Sequence, residues 1–237
     1  MYIKKNMLMG SYNMGYTKGK NVVIKEGTII GDNVIIEDDV YIDCYCIIRD
    51  NVIIKKGSYI GSRCILGEYT PDFYKKRKNG YHPLIIEENS VITSGAIIYG
   101  DTEIESKFYA GQNVTIRENC KIHNDVNIGI KSDIQHHCEI GKCTNIDGAC
   151  FVGEESKIED FVKISFGVIL TNDPTPPSEN LLGVTLKKFS KVLNGSILLP
   201  GVKVGSKSVV VDGSVVTKNV KSNTFVKGHP AKVVERY

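Results

Sequence analysis

A branched aliphatic residue stands at every sixth position through most of this chain. Counting in sixes from Ile24 gives Ile30, Ile36, Ile42, Ile48, Ile54, Ile60 and Leu66. The count restarts at Ile86 and runs unbroken through Ile92, Ile98, Ile104, Ala110, Ile116 and onward to Leu170. A third run takes Val192, Leu198, Val204, Val210 and Val216. Of these 28 positions 27 are Ile, Val or Leu, with Ala110 the exception. The residue four places after each is mostly Val, Ser, Thr, Ala or Cys, as at Val40, Cys46 and Ser58. Periodicity of this length means a solenoid. A helix repeats at about 3.6 residues and a strand at about 2, so a period of six satisfies only the strand alternation. Three short strands per turn wrap as a three-faced coil, and adjacent coils stack at about 4.8 Å.

This predicts an all-β solenoid of about nine coils, with a continuous apolar interior in place of a globular core. An N-terminal lead-in covers 1–21, the coils 22–221, and a tail 222–237. All seven prolines fall outside the uninterrupted runs or at coil edges, as the missing ladder donor requires. No apolar run approaches the ~20 residues that span a membrane. The N-terminal stretch MYIKKNMLMGSYNMG lacks the apolar segment of a secretion signal, so a cytoplasmic location is expected. Five of the seven cysteines (Cys46, Cys64, Cys120, Cys138, Cys150) fall at the small inward position, where a free thiol packs as a modest hydrophobe.

Charge is uneven. From Lys187 to the end there are ten Lys/Arg against Asp212 and Glu235, whereas the rest of the chain carries 20 basic and 25 acidic residues. A basic end suits a polyphosphate ligand. Nucleic acid is not expected, because no recognised module is present and aromatics are not interleaved with the basic residues.

Two excursions, near 68–84 and near 172–191, interrupt the repeat, and function in solenoids concentrates in such insertions. Leu66 and Leu170 belong to the same one of the three hexad classes, so both loops leave from one edge of the prism, five coils apart. The first holds Lys75, Lys76, Arg77 and Lys78 beside Tyr69, Phe73, Tyr74 and Tyr81, a set able to grip phosphate and stack a base, or simply a loop kept soluble by charge. Residues 18 apart are neighbours on adjacent coils. One column therefore reads Glu118, His136, Glu154, Asn172, and the next Asn119, His137, Glu155, Asp173. A histidine held by a carboxylate at a cleft is what general-base catalysis requires, although polar turns also stack His and Glu without function.

At this point the chain resembles the hexapeptide-repeat acyltransferases, the left-handed parallel β-helix family, over roughly 22–233. Ile134-Gln135-His136-His137-Cys138-Glu139-Ile140-Gly141 is similar to the I-x-H-D-C-x-I-G stretch of two groups in it. One group acetylates UDP-linked 4-amino sugars, and the other transfers acyl chains to UDP-N-acetylglucosamine. The resemblance implies a base at His136; His137 stands where those groups have Asp, which leaves open which imidazole acts. Phe108 to Asn119 resembles a T-G-H-N-V-x-I-R-E-N segment of nucleotide-sugar N-acetyltransferase-like proteins, with Gln112 in place of its histidine. Glutamine cannot act as a base, so Gln112 is expected only to hydrogen-bond substrate. Val211 to Lys218 and Val226 to Lys232 resemble the family's A-G-S-V-V-T-K and G-N-P-A-K elements, which implies coenzyme A contacts at Gly213, Lys218, Gly228 and Lys232.

The resemblance implies an acetyl-CoA-dependent acetyltransferase acting on the amino group of a nucleotide-linked amino sugar. Glu118, Glu154, Asn172 and Asp173 are the further substrate contacts, and the assembly is a homotrimer with coenzyme A between prisms. No metal is expected. The zinc hydratases of the same fold use an H-x4-H pair, a spacing that none of the five histidines has. O-acetylation of a sugar or another small acceptor is the near alternative, and a non-catalytic sugar-binding scaffold the more distant one.

Overall fold

The computed structural model describes residues 15–76 and 82–235. Among the described residues, three sheets of ten, twelve and ten strands run along a three-faced prism. Face A begins with Tyr16–Lys18 and Val34–Ile36, face B with Val23–Ile24 and Tyr41–Ile42, and face C with Ile29–Ile30 and Ile47–Ile48. Neighbouring strands are parallel and lie 18 residues apart in sequence, as in Ile116↔Ile134 and Ile134↔Val152. The pairing is carried across both insertions, with Leu66↔Ile98 bridging the first and Leu170↔Leu198 the second.

The interior follows from the repeat. Ile42, Ile60, Ile98, Ile134 and Leu170 are fully buried, and so are the small residues between strands, Val40, Cys64 and Ser90 among them. Each coil turns through a residue in the left-handed region, three places after the repeat position. Asn33, Asn51, Asp101, Asn113, His137 and Glu155 all have φ between 55° and 65°. Asn and Asp tolerate that region well, and Gly27, Gly95 and Gly213 occupy it freely.

The prism has about eleven turns, not nine. The count by branched aliphatics leaves out three strands at the ends of its runs. Tyr16–Lys18 is a face A strand although its repeat position is Lys18, so the expected lead-in 1–21 already contains a strand. Thr185–Leu186 resumes face A inside the segment expected to be loop, which ends the second excursion before 191. Phe225–Gly228 pairs with Val209–Val210 at a spacing of 16, out of phase with the sixfold count. Ala231–Val234 then turns back antiparallel on it and closes face B.

The first loop carries the only helix among the described residues, Pro71–Lys76. A register shift beside Gly67 (φ 75°) precedes it. Arg77, Lys78 and Tyr81 of the expected basic and aromatic cluster lie outside the described residues. Within it, Tyr69 and Phe73 stack on each other with centroids 4.0 Å apart, and the Arg49 guanidinium lies 4.4 Å from the Tyr69 centroid.

Candidate active site on the edge between faces C and A

Both loops leave the prism at the edge where face C turns into face A, five strand steps apart along Ile65, Ile97, Thr115, Asp133, Phe151 and Ile169. At the usual strand spacing that is about 24 Å. The His–Glu column stands between them. His136 follows the strand Asp133–Ile134 by two residues, and His137 occupies the left-handed corner position (φ 57°).

Nε2 of His136 contacts Oε1 of Glu154 one coil on. Its Nδ1 lies 2.7 Å from Nδ1 of His137, the two rings meeting edge to face with centroids 4.8 Å apart. Oε2 of Glu154 is buried with no hydrogen-bond partner among the described residues. His137 is half exposed, and its Nδ1 is 3.8 Å from Oε1 of Glu155, beyond hydrogen-bond range.

On the preceding coil Glu118 is committed elsewhere. Arg117 donates to it through both arms of its guanidinium, Nε to Oε2 at 2.8 Å and an Nη to Oε1 at 3.0 Å. Burial pushes the Glu118 carboxyl up, but the Arg117 fork, its own backbone N–H and the nearby His136 outweigh this and hold it below the usual range. Arg117 also sits over the Tyr99 ring at 4.8 Å. Arg117 appears in the I-R-E-N segment of the sequence, yet its grip on Glu118 depends on side-chain rotation that spacing does not reveal.

Asn172 packs over Gly153, where a Cβ would lie 2.9 Å from the Asn172 Oδ1, and its carbonyl accepts from Leu182 N–H at 2.7 Å. Asp173 is turned into its own loop, where Oδ1 accepts from Thr175 N–H at 3.1 Å and from the Ser178 hydroxyl. The column therefore brings His136, His137, Glu154 and Glu155 together. It leaves Glu118 paired to Arg117 and Asp173 occupied within its loop.

The remaining candidates lie apart. Gln112 is exposed on the edge between faces B and C, the same edge as Gly213. Gly228 N–H donates to Ser214 Oγ at 3.2 Å, which keeps Gly228 beside Gly213. Lys218 is exposed on the C–A edge, four coils beyond His136, and Lys232 pairs in register with Lys227 at the end of face B. All seven cysteines are free. The buried Cys138 Sγ lies 3.3 Å from Gly153 O, so this thiol is engaged with the backbone beneath the site.

The chain is thus a three-faced β-helix of hexads with a carboxylate-held imidazole pair on one edge. The family profile described as bacterial transferase hexapeptide (six repeats) matches residues 34–68. That match takes in 35 of the 237 residues, a likeness to the family over one stretch of coils. It is 32% identical over 75 residues to 2,3,4,5-tetrahydropyridine-2,6-dicarboxylate N-acetyltransferase of Staphylococcus aureus, which covers 32% of this chain and 30% of that protein. The chain spans 20–42% of the length of the curated relatives it matches. The solved Arabidopsis UDP-N-acetylglucosamine acyltransferase superposes over 92% of this chain and 72% of its own, with 16% identity and a TM-score of 0.50, a likeness of fold.

Proposed function

We propose that this protein is an acetyl-CoA-dependent acetyltransferase that N-acetylates a nucleotide-linked amino sugar in the cytoplasm. The observation that carries the acetyl-transfer reading is the imidazole pair held by Glu154 on a loop-flanked edge, in a chain whose matched relative is an N-acetyltransferase. An acetyl thioester is already activated, so the protein needs to position the amine, remove its proton as nitrogen attacks, and admit the thin pantetheine arm. The third need is met on the B–C edge. Gly167, Gly195 and Gly213 follow one another on that edge, each at positive φ, and nothing lies within 4 Å of where their Cβ atoms would be. Bare backbone of this kind admits a close-lying chain. Lys218 and Lys232 would meet the phosphates, and seven free thiols suit a reducing compartment.

The histidines and the glycines lie on different edges, and a homotrimer reconciles them. Face C is flanked by both edges and presents Ile29, Ile47, Ile65, Ile97, Ile169 and Ile197 outward. Face A instead alternates Glu103, Lys121, Glu139 and Lys157 across its strands, a solvent-facing pattern. Packing face C around a threefold axis would set the C–A edge of one prism against the B–C edge of the next. His136 and His137 would then stand about one coil from Gln112 of the neighbour, with its glycines two to four coils further along the same seam, about 10–19 Å away.

The sugar assignment rests on the I-x-H-x-C-x-I-G likeness and on the aromatic first loop at the same edge. The test is a panel of UDP-, dTDP- and GDP-linked amino sugars with acetyl-CoA, following release of free thiol. Turnover on an amino sugar, absent with its hydroxyl analogue, is the expected result. No coenzyme A binding by calorimetry would overturn the enzyme reading and leave the scaffold.

A further inference from the structure

The hydrogen bonds around His136 leave it no free lone pair. A carboxylate only accepts, so Glu154 takes the proton on Nε2 of His136. A neutral imidazole has one N–H, so Nδ1 of His136 then carries its lone pair. That atom lies 2.7 Å from Nδ1 of His137, a separation that needs a proton between the two nitrogens. The proton must come from His137, which leaves the lone pair of His137 on Nε2.

We infer that Nε2 of His137 is the atom that receives the substrate proton, and that His136 is a positioning residue that fixes the His137 tautomer and passes the Glu154 charge to it. This rests on the acetyl-transfer reading given above and assigns the base within it. The other charged groups nearby do not alter the pattern. Glu155 is too far from Nδ1 of His137 to take its proton, and Glu118 is held by both arms of Arg117. Among the described residues the buried Oε2 of Glu154 has no donor of its own to share its charge, so that charge falls on His136. Half of the His137 side chain is exposed, against about a quarter of His136. His137 takes the left-handed corner position of its turn (φ 57°).

In the reaction the amine nitrogen attacks the thioester carbonyl, the N–C bond forms and the C–S bond breaks. The proton leaving nitrogen goes to Nε2 of His137 and then to the departing thiolate, giving free coenzyme A and neutral His137. While His137 is cationic, its Nδ1–H stays on His136 and Glu154 balances the charge through that ring. A carboxylate-held imidazole supporting a second imidazole does for His137 what an orienting carboxylate does for a general base directly.

Two measurements on the full chain test the assignment. Long-range nitrogen–proton NMR of histidine-labelled protein, at a pH where both rings are neutral, should show His136 protonated on Nε2 and His137 on Nδ1. His137 protonated on Nε2 overturns the proposal whatever the acceptor. On the acceptor found in the sugar panel, His137→Ala should lower kcat by roughly 10²–10⁴-fold, the usual worth of a positioned base. His136→Phe keeps the bulk of the ring but offers neither a donor to Glu154 nor an acceptor to Nδ1 of His137. It should lower kcat less, leave KM unchanged, displace the pH profile and return His137 to the Nε2–H tautomer. Parental kcat in His137→Ala with loss in His136→Ala overturns the assignment. An inert parent on every sugar that still shows the expected tautomers strikes the acetyl-transfer reading instead.

Discussion

Replacing Arg117 by Met tests how the site is held in shape. The substitution keeps an unbranched apolar stem, removes the fork on Glu118 and leaves that carboxylate buried, with its side chain 11% exposed. Breaking a fully buried pair costs about 3–5 kcal/mol. Arg117 retains 22% exposure, so the cost falls below that range, at about 2–3 kcal/mol. Loss of the stack on Tyr99, 4.8 Å from its centroid, adds about 0.5–1 kcal/mol. For a chain of this length about 3 kcal/mol lowers Tm by roughly 6–12 °C.

The pH dependence of that loss has a definite sign. In the parent the folded Glu118 pKa is depressed, so its contribution is present above the unfolded carboxylate value and lost as pH falls through the folded one. In the variant burial acts on Glu118 without the fork, so the folded value rises and acid relieves the penalty. The Tm gap between parent and variant should therefore be widest near neutral pH and narrow towards about pH 4. Arg117→Met combined with Glu118→Leu should recover much of the loss, since no charge is then stranded. Melting curves by circular dichroism at the two pH values decide it. A variant within about 2 °C of the parent at neutral pH, or a loss that does not change with pH, would refute the reasoning.

Alanine at both Lys218 and Lys232 should weaken coenzyme A severalfold in calorimetry at low salt, with the difference shrinking as salt screens it; equal affinities would free the basic end for another role. Ile97→Glu in the middle of face C should convert a trimer, read by light scattering, into a folded monomer, and a parent already monomeric would sink the trimer. Asp133 lies on the same face, with its carboxyl pushed up by burial against the opposing pull of Gln135 and Arg117. A raised folded pKa costs stability when the group is ionised, so Asp133→Asn should raise Tm near neutral pH and lose that advantage in acid; a gain independent of pH would contradict this. Gly183→Ala should displace the second loop, because its Cβ would fall 2.1 Å from the Glu155 carbonyl carbon, and an unchanged Tm would show that the loop yields freely.

The sequence by itself determined the prism. A residue buried at every sixth position wraps short strands as three faces, and the 18-residue register then assigns each side chain to a face or an edge. His136, His137 and Glu154 were placed together on that arithmetic alone, and so was the departure of both loops from one edge. The arithmetic failed at Lys18, where the repeat position is polar, and beyond Val216, where the spacing slips, and it left Leu186 in the loop although it stands six residues before Val192. Tyr16–Lys18, Thr185–Leu186 and Phe225–Gly228 are strands because they continue a hydrogen-bonded ladder already begun by their neighbours, a cooperative effect that no single hexad encodes. Only the tertiary structure decided what the polar side chains of the edge do. Spacing puts Glu118 and Glu154 symmetrically about His136. Side-chain rotation gives the first to Arg117 and the second to His136, and it spends Asp173 on Ser178. Columns fix where Cα atoms stack, whereas hydrogen-bond partners depend on torsions beyond Cα and on which competing donor lies nearest.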